Sequence, residues 1–564
     1  MHAVTRRQTR RTGLAVAVVL GLAALPLILT IPAGAFGVPR NDDWAYSDLL
    51  WRWEATGDLR LAGWESMTLV GQLLLAWPLA ALLPRHVASL QVFTLVVGAV
   101  GALAAYATVR RFVSMGRAVL AVATTLVSPL YGPIAVSFMT DVPAFTAQAV
   151  CVWLGSRALS SRTTDWRGWF IGAMAVGVWG VTIREYAVVA PATVFVVVAA
   201  RAWGRRDRDA FIISTVTGAL AALFIAAFVA WRRTWEASLS LDPALPDGVG
   251  DAAGSVGRSA AFTTITLAFL VLPAFAFVPV RRLVRDMTAS RWSVVAVGSA
   301  VIVLVAGAVA TWEWSPPLLG PYLDQRGALG NDILPGDRAL ILPEPLLFVV
   351  LAVTLLAAVG LVGLLALTAI ETTRAPTWRD RCATFDTRTM AWVLVVLTVL
   401  SLTAAGAMGL PIFDRYVLPA VPFAAALVLA WRPASVALTD RTPAGAARWL
   451  GVAAFFVLGA IWTVDAARFD ATRWAAGDRA VQLGYPPDRV DTGFEWRNVH
   501  RLSGEPPMSP SQRDLDACVR LAAADADLGS SWTPLFTVGH WHGAAGTDSL
   551  TAWATDAPGC PPLP

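Results

Sequence analysis

A chain of 564 residues that is 56% apolar and only 15% charged has more hydrophobic side chains than one water-soluble core can bury, and too few charges for a soluble surface. A soluble enzyme and a disordered chain are both excluded. The net charge of +5 rests on arginine alone, because the sequence contains no lysine; this excludes a Walker lysine, a lysine Schiff base and a kinase-type lysine.

Apolar runs recur at 13–32, 88–109, 117–133, 143–159, 168–183, 186–203, 210–231, 259–280, 292–311, 345–370, 390–410, 417–431 and 448–464. A bilayer-crossing helix needs about 20 such residues. The pattern therefore predicts an all-α polytopic membrane protein with about 13 transmembrane helices. Arg6, Arg7, Arg10 and Arg11 put the N-terminus in the cytoplasm, since cytoplasmic loops retain arginine. On that register the inside segments hold 25 of the 44 arginines, at least three in each, from Arg110, Arg111 and Arg117 through to Arg432, Arg441 and Arg448. Residues 67–84 are also apolar, but counting them would send Arg110 and Arg111 outside, so they read as a juxtamembrane or re-entrant piece. The Ala33-Gly34-Ala35 run resembles a signal-peptide cleavage site. The apolar run before it is longer than a usual signal core, which favours a retained anchor.

Residues 465–564 are polar, rich in Pro and Asp, and lack a spanning run. They predict a small extracytoplasmic C-terminal domain of α/β class after a membrane domain at 1–464, whose first outer loop is 33–87. Cys518 and Cys560 agree with an oxidising compartment, whereas Cys151 and Cys382 fall in a span and an inside loop. On this topology the inside segments carry +17, the outer loops −7 and the tail −5. The mild overall basicity is thus a topology signal, and no nucleic-acid partner is expected.

Ionisable groups close to the membrane on the arginine-poor side are the informative ones. Four sites fall on that face. Asn41-Asp42-Asp43-Trp44-Ala45-Tyr46 follows the first span. A helix is expected over the residues after it, stopped at Gly57, with Trp44, Trp51, Trp53 and Trp64 in the headgroup zone. Adjacent carboxylates at a helix start can be plain N-caps; the alternative is a general base beside the bilayer with a second acid that orients substrate. Asp141, in Thr140-Asp141-Val142-Pro143, is again either an N-cap or a functional acid. Arg184-Glu185-Tyr186 interrupts an apolar run and marks a hairpin tip, and Asp414-Arg415-Tyr416 sits between Pro411 and Pro419. Both arginines are either turn ion pairs or planar cations offered to a phosphate. His540 and His542 can face one way on a strand, but two histidines do not make a metal site. The loops 233–258 and 312–344, rich in Pro, Gly and Asp, read as ordered caps.

The NDDWAY and TDVP segments in this order, with REYAVVAP, FDRYVLPAVP and RVDTGFEW, make the chain resemble the GT-C superfamily of polyprenyl-phosphate-sugar-dependent glycosyltransferases. That group includes protein O-mannosyltransferases and the aminoarabinose transferases acting on lipid A. Its members carry an acidic pair in the first outer loop; the O-mannosyltransferases usually read Asp-Glu where this chain has Asp42-Asp43. The resemblance implies a bacterial plasma-membrane enzyme that inverts the anomeric centre. Its partners would be a polyprenyl-phosphate-linked sugar, membrane lipid and an envelope glycan, lipid or protein acceptor. It implies catalytic roles for Asp42 as base and for Asp43 and Asp141 in positioning the acceptor or a metal. Arg184 and Arg415 would bind the donor phosphate, with Tyr46 and Glu185 supporting. The cofactor is left unknown, and nothing in the sequence indicates a divalent metal. A secondary transporter or flippase would place its charges near the midplane, and a non-catalytic envelope scaffold would work through its tail.

Overall fold

The structure is a computed structural model. It describes the chain except residues 1, 60–63, 65, 66, 161–164, 235–247, 311–317, 373–376, 432–437, 439–441, 502–515, 563 and 564. Arg162, Arg374, Arg432, Arg441 and parts of both long loops (235–247 and 312–317) therefore lie outside the described residues.

All thirteen apolar runs contain helix, but they are not equal. Among the described residues, seven helices are long and apolar enough to cross a membrane: Arg10–Thr30, Val87–Val109, Glu185–Arg205, Arg208–Arg233, Glu344–Ile370, Thr387–Ala407 and Pro443–Gln482. Others, such as Trp166–Val181 and Val421–Ala430, are shorter. The 67–84 segment forms a helix only over Val70–Leu82, with Pro78 inside it. At about 1.5 Å per residue it spans about 20 Å, too little for a hydrocarbon core of about 30 Å.

Small residues set the closest helix contacts. Ala33 and Ala35 pack against Ala467, and Gly34 sits beside Ala471, so the stretch that looked like a cleavage site is a close crossing onto the Pro443–Gln482 helix. That helix has 40 residues, about 60 Å. It continues well beyond any bilayer and carries Asp465, Asp470 and Arg473, all buried, on its far half.

Past that helix the chain adds a four-stranded sheet: β1 (Val490–Asp491), β2 (Val519–Ala523), β3 (Thr533–His542) and β4 (Gly546–Ala554), in the order β1-β2-β4-β3. β1 is parallel to β2; β4 is antiparallel to both β2 and β3. Cys518 is joined to Cys560, tying the start of β2 to the residues after β4. The sheet does not stand apart. Leu521, Leu550 and Ala552 share one apolar core with Trp44, Tyr46, Leu49 and Leu50 of the first loop.

Candidate active site

The expected helix after the acidic pair is present over Asp43–Thr56, ended by Gly57 at φ 70°, whose N–H bonds Trp53 O. Its tryptophans do not all face lipid, however. Trp44 is buried and packs on Trp64, which in turn stacks on Phe494. The C-terminal part of the chain covers this helix, and that packing overrides the interfacial placement.

A buried ionic junction fixes the turn before the helix. Arg40 Nε reaches Asp470 Oδ2 at 2.7 Å, and Arg473 bonds both Asp470 (2.7 Å) and Glu495 (2.9 and 3.0 Å). Asn41 N–H donates to Glu495 Oε1, and Asn41 Nδ2 to the hydroxyl of Tyr322. The two carboxylates of the pair then part. Asp42 caps nothing with its side chain. It is half-buried, accepting from Tyr46 OH at 3.3 Å and from Trp64 Nε1 at 3.0 Å. Asp43 turns the other way and is fully buried, accepting from Arg40 N–H. Burial pushes its pKa well above the carboxylate range, with Glu495 adding to the rise against Arg40. Asp43 is sealed inside the junction, where burial favours its protonated form, and does not face the cluster beside Asp42.

The other three sites do converge. Asp141, at the start of the Asp141–Ser160 helix, is buried with Oδ1 3.4 Å from Arg415 Nε and 3.7 Å from Arg184 Nη2; it also accepts from Tyr186 OH at 3.3 Å. Arg184 lies in the break between the Trp166–Val181 helix and a 3-10 turn at Glu185–Val188. Arg415 opens the 3-10 segment Asp414–Ala420. The Tyr186 and Tyr416 rings pack at 4.6 Å; Arg415 lies over Phe413 (4.3 Å), Tyr322 (5.6 Å) and Tyr416 (5.8 Å), and Arg184 over Tyr416 at 5.5 Å. Tyr46, buried beside Asp42, lies within electrostatic reach of Arg184, Arg415 and Asp141, so it links the first loop to this cluster. Glu185 is exposed, and its charge acts on the cluster through Arg184 and Tyr416, with no hydrogen bond or ion pair to the cluster's side chains among the described residues.

Burial opposes the charge on both arginines, but Asp141 and the tyrosines more than offset it and raise both pKa values. Both are thus cations; Arg184 Nη2 and Arg415 Nε face Asp141 only at ion-pair distance, and Nε of Arg184 and Nη1 of Arg415 have no hydrogen-bond or ion-pair partner among the described residues. Unpaired buried N–H groups on guanidiniums are costly unless an anion comes to them. With two guanidiniums against one carboxylate, Asp141 is poorly suited to hold a metal. The donor set fits a phosphate.

Beside the cluster, Leu323 N–H donates to Asp414 Oδ2. Burial pushes Asp414 up to about 7, against Arg415 and backbone N–H groups. Leu323 also lines one end of an apolar groove with Phe269, Leu342 and Leu458. A separate cavity of about 960 Å³, bounded by Leu283, Met287, Val353 and Phe455, shares Phe269, Leu342, Val350 and Leu458 with it.

Tyr322 is not singled out by the charges along the sequence, and Tyr186, Tyr416 and Trp64 stand in its motifs without a role in the site. A signal was available: the chain has only seven tyrosines, and four of them (46, 186, 322 and 416) meet here.

Residues 71–231 match the family model described as dolichyl-phosphate-mannose-protein mannosyltransferase. The match contains Asp141 and Arg184 and bears out the resemblance to the GT-C superfamily. No curated protein matches in sequence. Among solved structures, ArnT from Cupriavidus metallidurans bound to undecaprenyl phosphate aligns with TM-score 0.40 and 13% identity, over 94% of this chain and 97% of its own. The Archaeoglobus fulgidus oligosaccharyltransferase in complex with Zn and sulfate aligns with TM-score 0.42 and 11% identity, over 88% of this chain and 58% of its own. The archaeal oligosaccharyltransferase AglB from Archaeoglobus fulgidus, in complex with an inhibitory peptide and a dolichol-phosphate, gives 0.40 and 11%, over 82% and 59%.

Proposed function

We propose that the chain is an integral membrane glycosyltransferase. It transfers a sugar from a polyprenyl-phosphate donor to an envelope acceptor, on the extracytoplasmic face, with inversion. The observation that carries this reading is the pair of buried arginines that share one carboxylate, Asp141, and each keep an N–H without a partner, close to the half-buried Asp42 and to Leu323 of an apolar pocket. A donor with a long apolar chain, one phosphate and one sugar has parts to match each.

In this mechanism the polyprenyl chain lies along the groove and its phosphate sits between Arg184 and Arg415. As the bond from the anomeric carbon to the phosphate oxygen breaks, charge grows on the leaving phosphate. The guanidiniums, already placed and desolvated, stabilise that charge without reorganising. Asp141 holds both arginines apart and in position. The acceptor hydroxyl enters from the side of Asp42, which takes its proton as the new glycosidic bond forms. Tyr46 and Trp64 aim the Asp42 carboxylate through both oxygens. A single displacement from the face opposite the phosphate inverts the anomeric carbon. Asp43 keeps no part in the chemistry; buried and accepting from Arg40 N–H, it helps shape the turn that presents Asp42.

The test is transfer of radiolabelled sugar from a polyprenyl-phosphate donor by the purified protein in lipid, compared with Asp42→Asn. Transfer that survives this substitution undiminished removes the base from the scheme. A transporter or flippase is the alternative class. It predicts movement of intact donor across the bilayer with no new glycosidic bond in the same preparation.

A further inference from the structure

His540 and His542, which as a pair make no metal site, gain a third potential ligand from a distant part of the chain. Asp465, on the Pro443–Gln482 helix, meets both histidines of β3, and one donor atom from each residue lies within 4.8 Å of the others. All three residues are buried. We propose that Asp465, His540 and His542 form a divalent transition-metal site of the zinc class. The ion would clamp the 318–343 loop and the sheet onto the long helix.

Three features point to an ion. The first is His540, 4% exposed, with neither ring nitrogen in a hydrogen bond among the described residues. A buried imidazole with two unsatisfied nitrogens carries a desolvation cost that a metal bond at one of them would remove. The second is the setting of His542. Its Nε2 lies 2.8 Å from the carbonyl oxygen of Ala339, and its Nδ1 lies 2.7 Å from Asp465 Oδ1. A backbone carbonyl accepting from one ring nitrogen fixes the tautomer whose other nitrogen has a free lone pair, the usual outer support of a metal-bound histidine. Without metal, a proton must bridge Nδ1 and the carboxylate; the ion takes the place of that proton.

The third feature is fit. Zinc bonds of about 2.0–2.2 Å in a tetrahedron set ligand atoms about 3.3–3.6 Å apart. The 2.7 Å contact must open by about 0.6–0.9 Å, and the widest separation, no more than 4.8 Å, must close by at most about 1.2–1.5 Å. Three ligands of this kind leave a fourth position for water. Two nitrogens and one oxygen in a buried site suit zinc and its spectroscopic stand-in cobalt better than calcium or magnesium.

Arg338 is the evident objection. It lies 3.2 Å from Asp465, but on Oδ2, leaving Oδ1 to face the histidines, and its guanidinium covers the Phe469 ring at 3.8 Å. The charges acting on Arg338 include Asp470 and Asp548 as well as Asp465, against Arg473; Asp470 is already shared by Arg40 and Arg473, so Asp548 is the further carboxylate whose charge is felt at both Arg338 and His540. The same loop carries Tyr322, whose ring lies over Arg415, so an ion here would stiffen one wall of the candidate active site from outside it.

The experiment uses full-length protein in detergent, stripped with chelator and then titrated with zinc chloride or cobalt chloride alone. The wild type should bind about one ion per chain tightly, with a tetrahedral cobalt spectrum and a raised melting temperature. His540→Ala should lose the tight ion and the melting shift. His540→Cys should bind cobalt again and add a thiolate-to-cobalt charge-transfer band missing from the wild type, which a purely structural histidine cannot produce. If the wild type takes up no ion, or if His540→Ala binds as tightly as the wild type, the site does not exist. Cobalt binding by His540→Cys without the new band overturns it equally.

Discussion

Asp42 and Asp43 are neighbours of the same residue type, yet the structure gives their asparagine variants opposite consequences. Asp42 is half-buried and faces the arginine cluster through Tyr46; Asp43 is sealed into the junction with Glu495, where burial favours its protonated form. Asp42→Asn keeps the shape and an oxygen for the Trp64 N–H, so its stability cost should stay near one hydrogen bond, about 1 kcal/mol. Its catalytic cost should be far larger. Loss of a positioned general base lowers turnover by about 10²–10⁴, or roughly 3–5 kcal/mol of barrier. Asp43→Asn replaces one buried, hydrogen-bonding side chain by another of the same size. Turnover should stay within about tenfold of wild type, since no transition-state contact is removed. The assay is initial rate at saturating donor and acceptor, with melting temperature measured on the same samples. Equal losses of turnover in the two variants, or a larger loss for Asp43→Asn, would refute the division of roles. A matching fall in melting temperature would trace either loss to folding instead.

Replacing Arg415 by Gln should raise the KM for donor by about 10–100-fold, the worth of a hydrogen bond to a charged group, and Lys should rescue little because it lacks the planar fork. Asp414 is raised to about 7 from an ordinary value of about 3.9, so the folded chain keeps a proton that the unfolded chain releases. Its burial therefore costs progressively more stability as pH climbs between those two values; Asp414→Asn should lose this dependence, gaining up to about 4 kcal/mol on wild type from pH 4 to 7, and parallel melting curves would refute it. Arg473→Leu leaves Asp470 and Glu495 buried without their shared cation, and denaturation should show a loss of about 3–5 kcal/mol. Reducing the Cys518–Cys560 bridge, which spans 42 residues, should lower stability by about 4 kcal/mol on the chain-entropy account, read as a melting shift with and without reductant.

The membrane region was legible because its physics is one-dimensional. An apolar run of sufficient length has few alternatives to a buried helix, and a charge at its edge stands out. Asp42, Asp141, Arg184 and Arg415 were found that way, and the fold brings three of them within ion-pair distance. What lies across the chain was not legible. Nothing in a two-residue acidic pair says which member turns toward Tyr46 and which toward Glu495; that depends on Arg40 finding Asp470 some 430 residues away. Tyr322 sits in a loop without periodicity. The His540–His542 pair lacked its third member because Asp465 looked like the polar edge of a span.

These long-range pairings share a cause that bears on the mechanism. The helix that ends the membrane region does not stop there; over its far half it supplies Asp465 to β3 and Asp470 to the first loop. The turn that aims Asp42 is therefore anchored on the same rigid rod as the sheet, with Glu495 closing the link at Asn41. Asp141, Arg184 and Arg415 come from helix breaks within the bundle, and Asp42 from this outer frame. The proposed base and the proposed phosphate site thus belong to two parts of the fold that meet through Tyr46 and Tyr322. A displacement reaction needs its two ends held within a fraction of an ångström. The interface most sensitive to mutation at a distance should then be the one that joins frame to bundle: Tyr46, Asn41 and Tyr322. Tyr322→Phe removes only the hydroxyl that Asn41 bonds and leaves the ring over Arg415. It should lower turnover while leaving donor KM unchanged. A change in donor KM with normal turnover would place Tyr322 in phosphate binding instead.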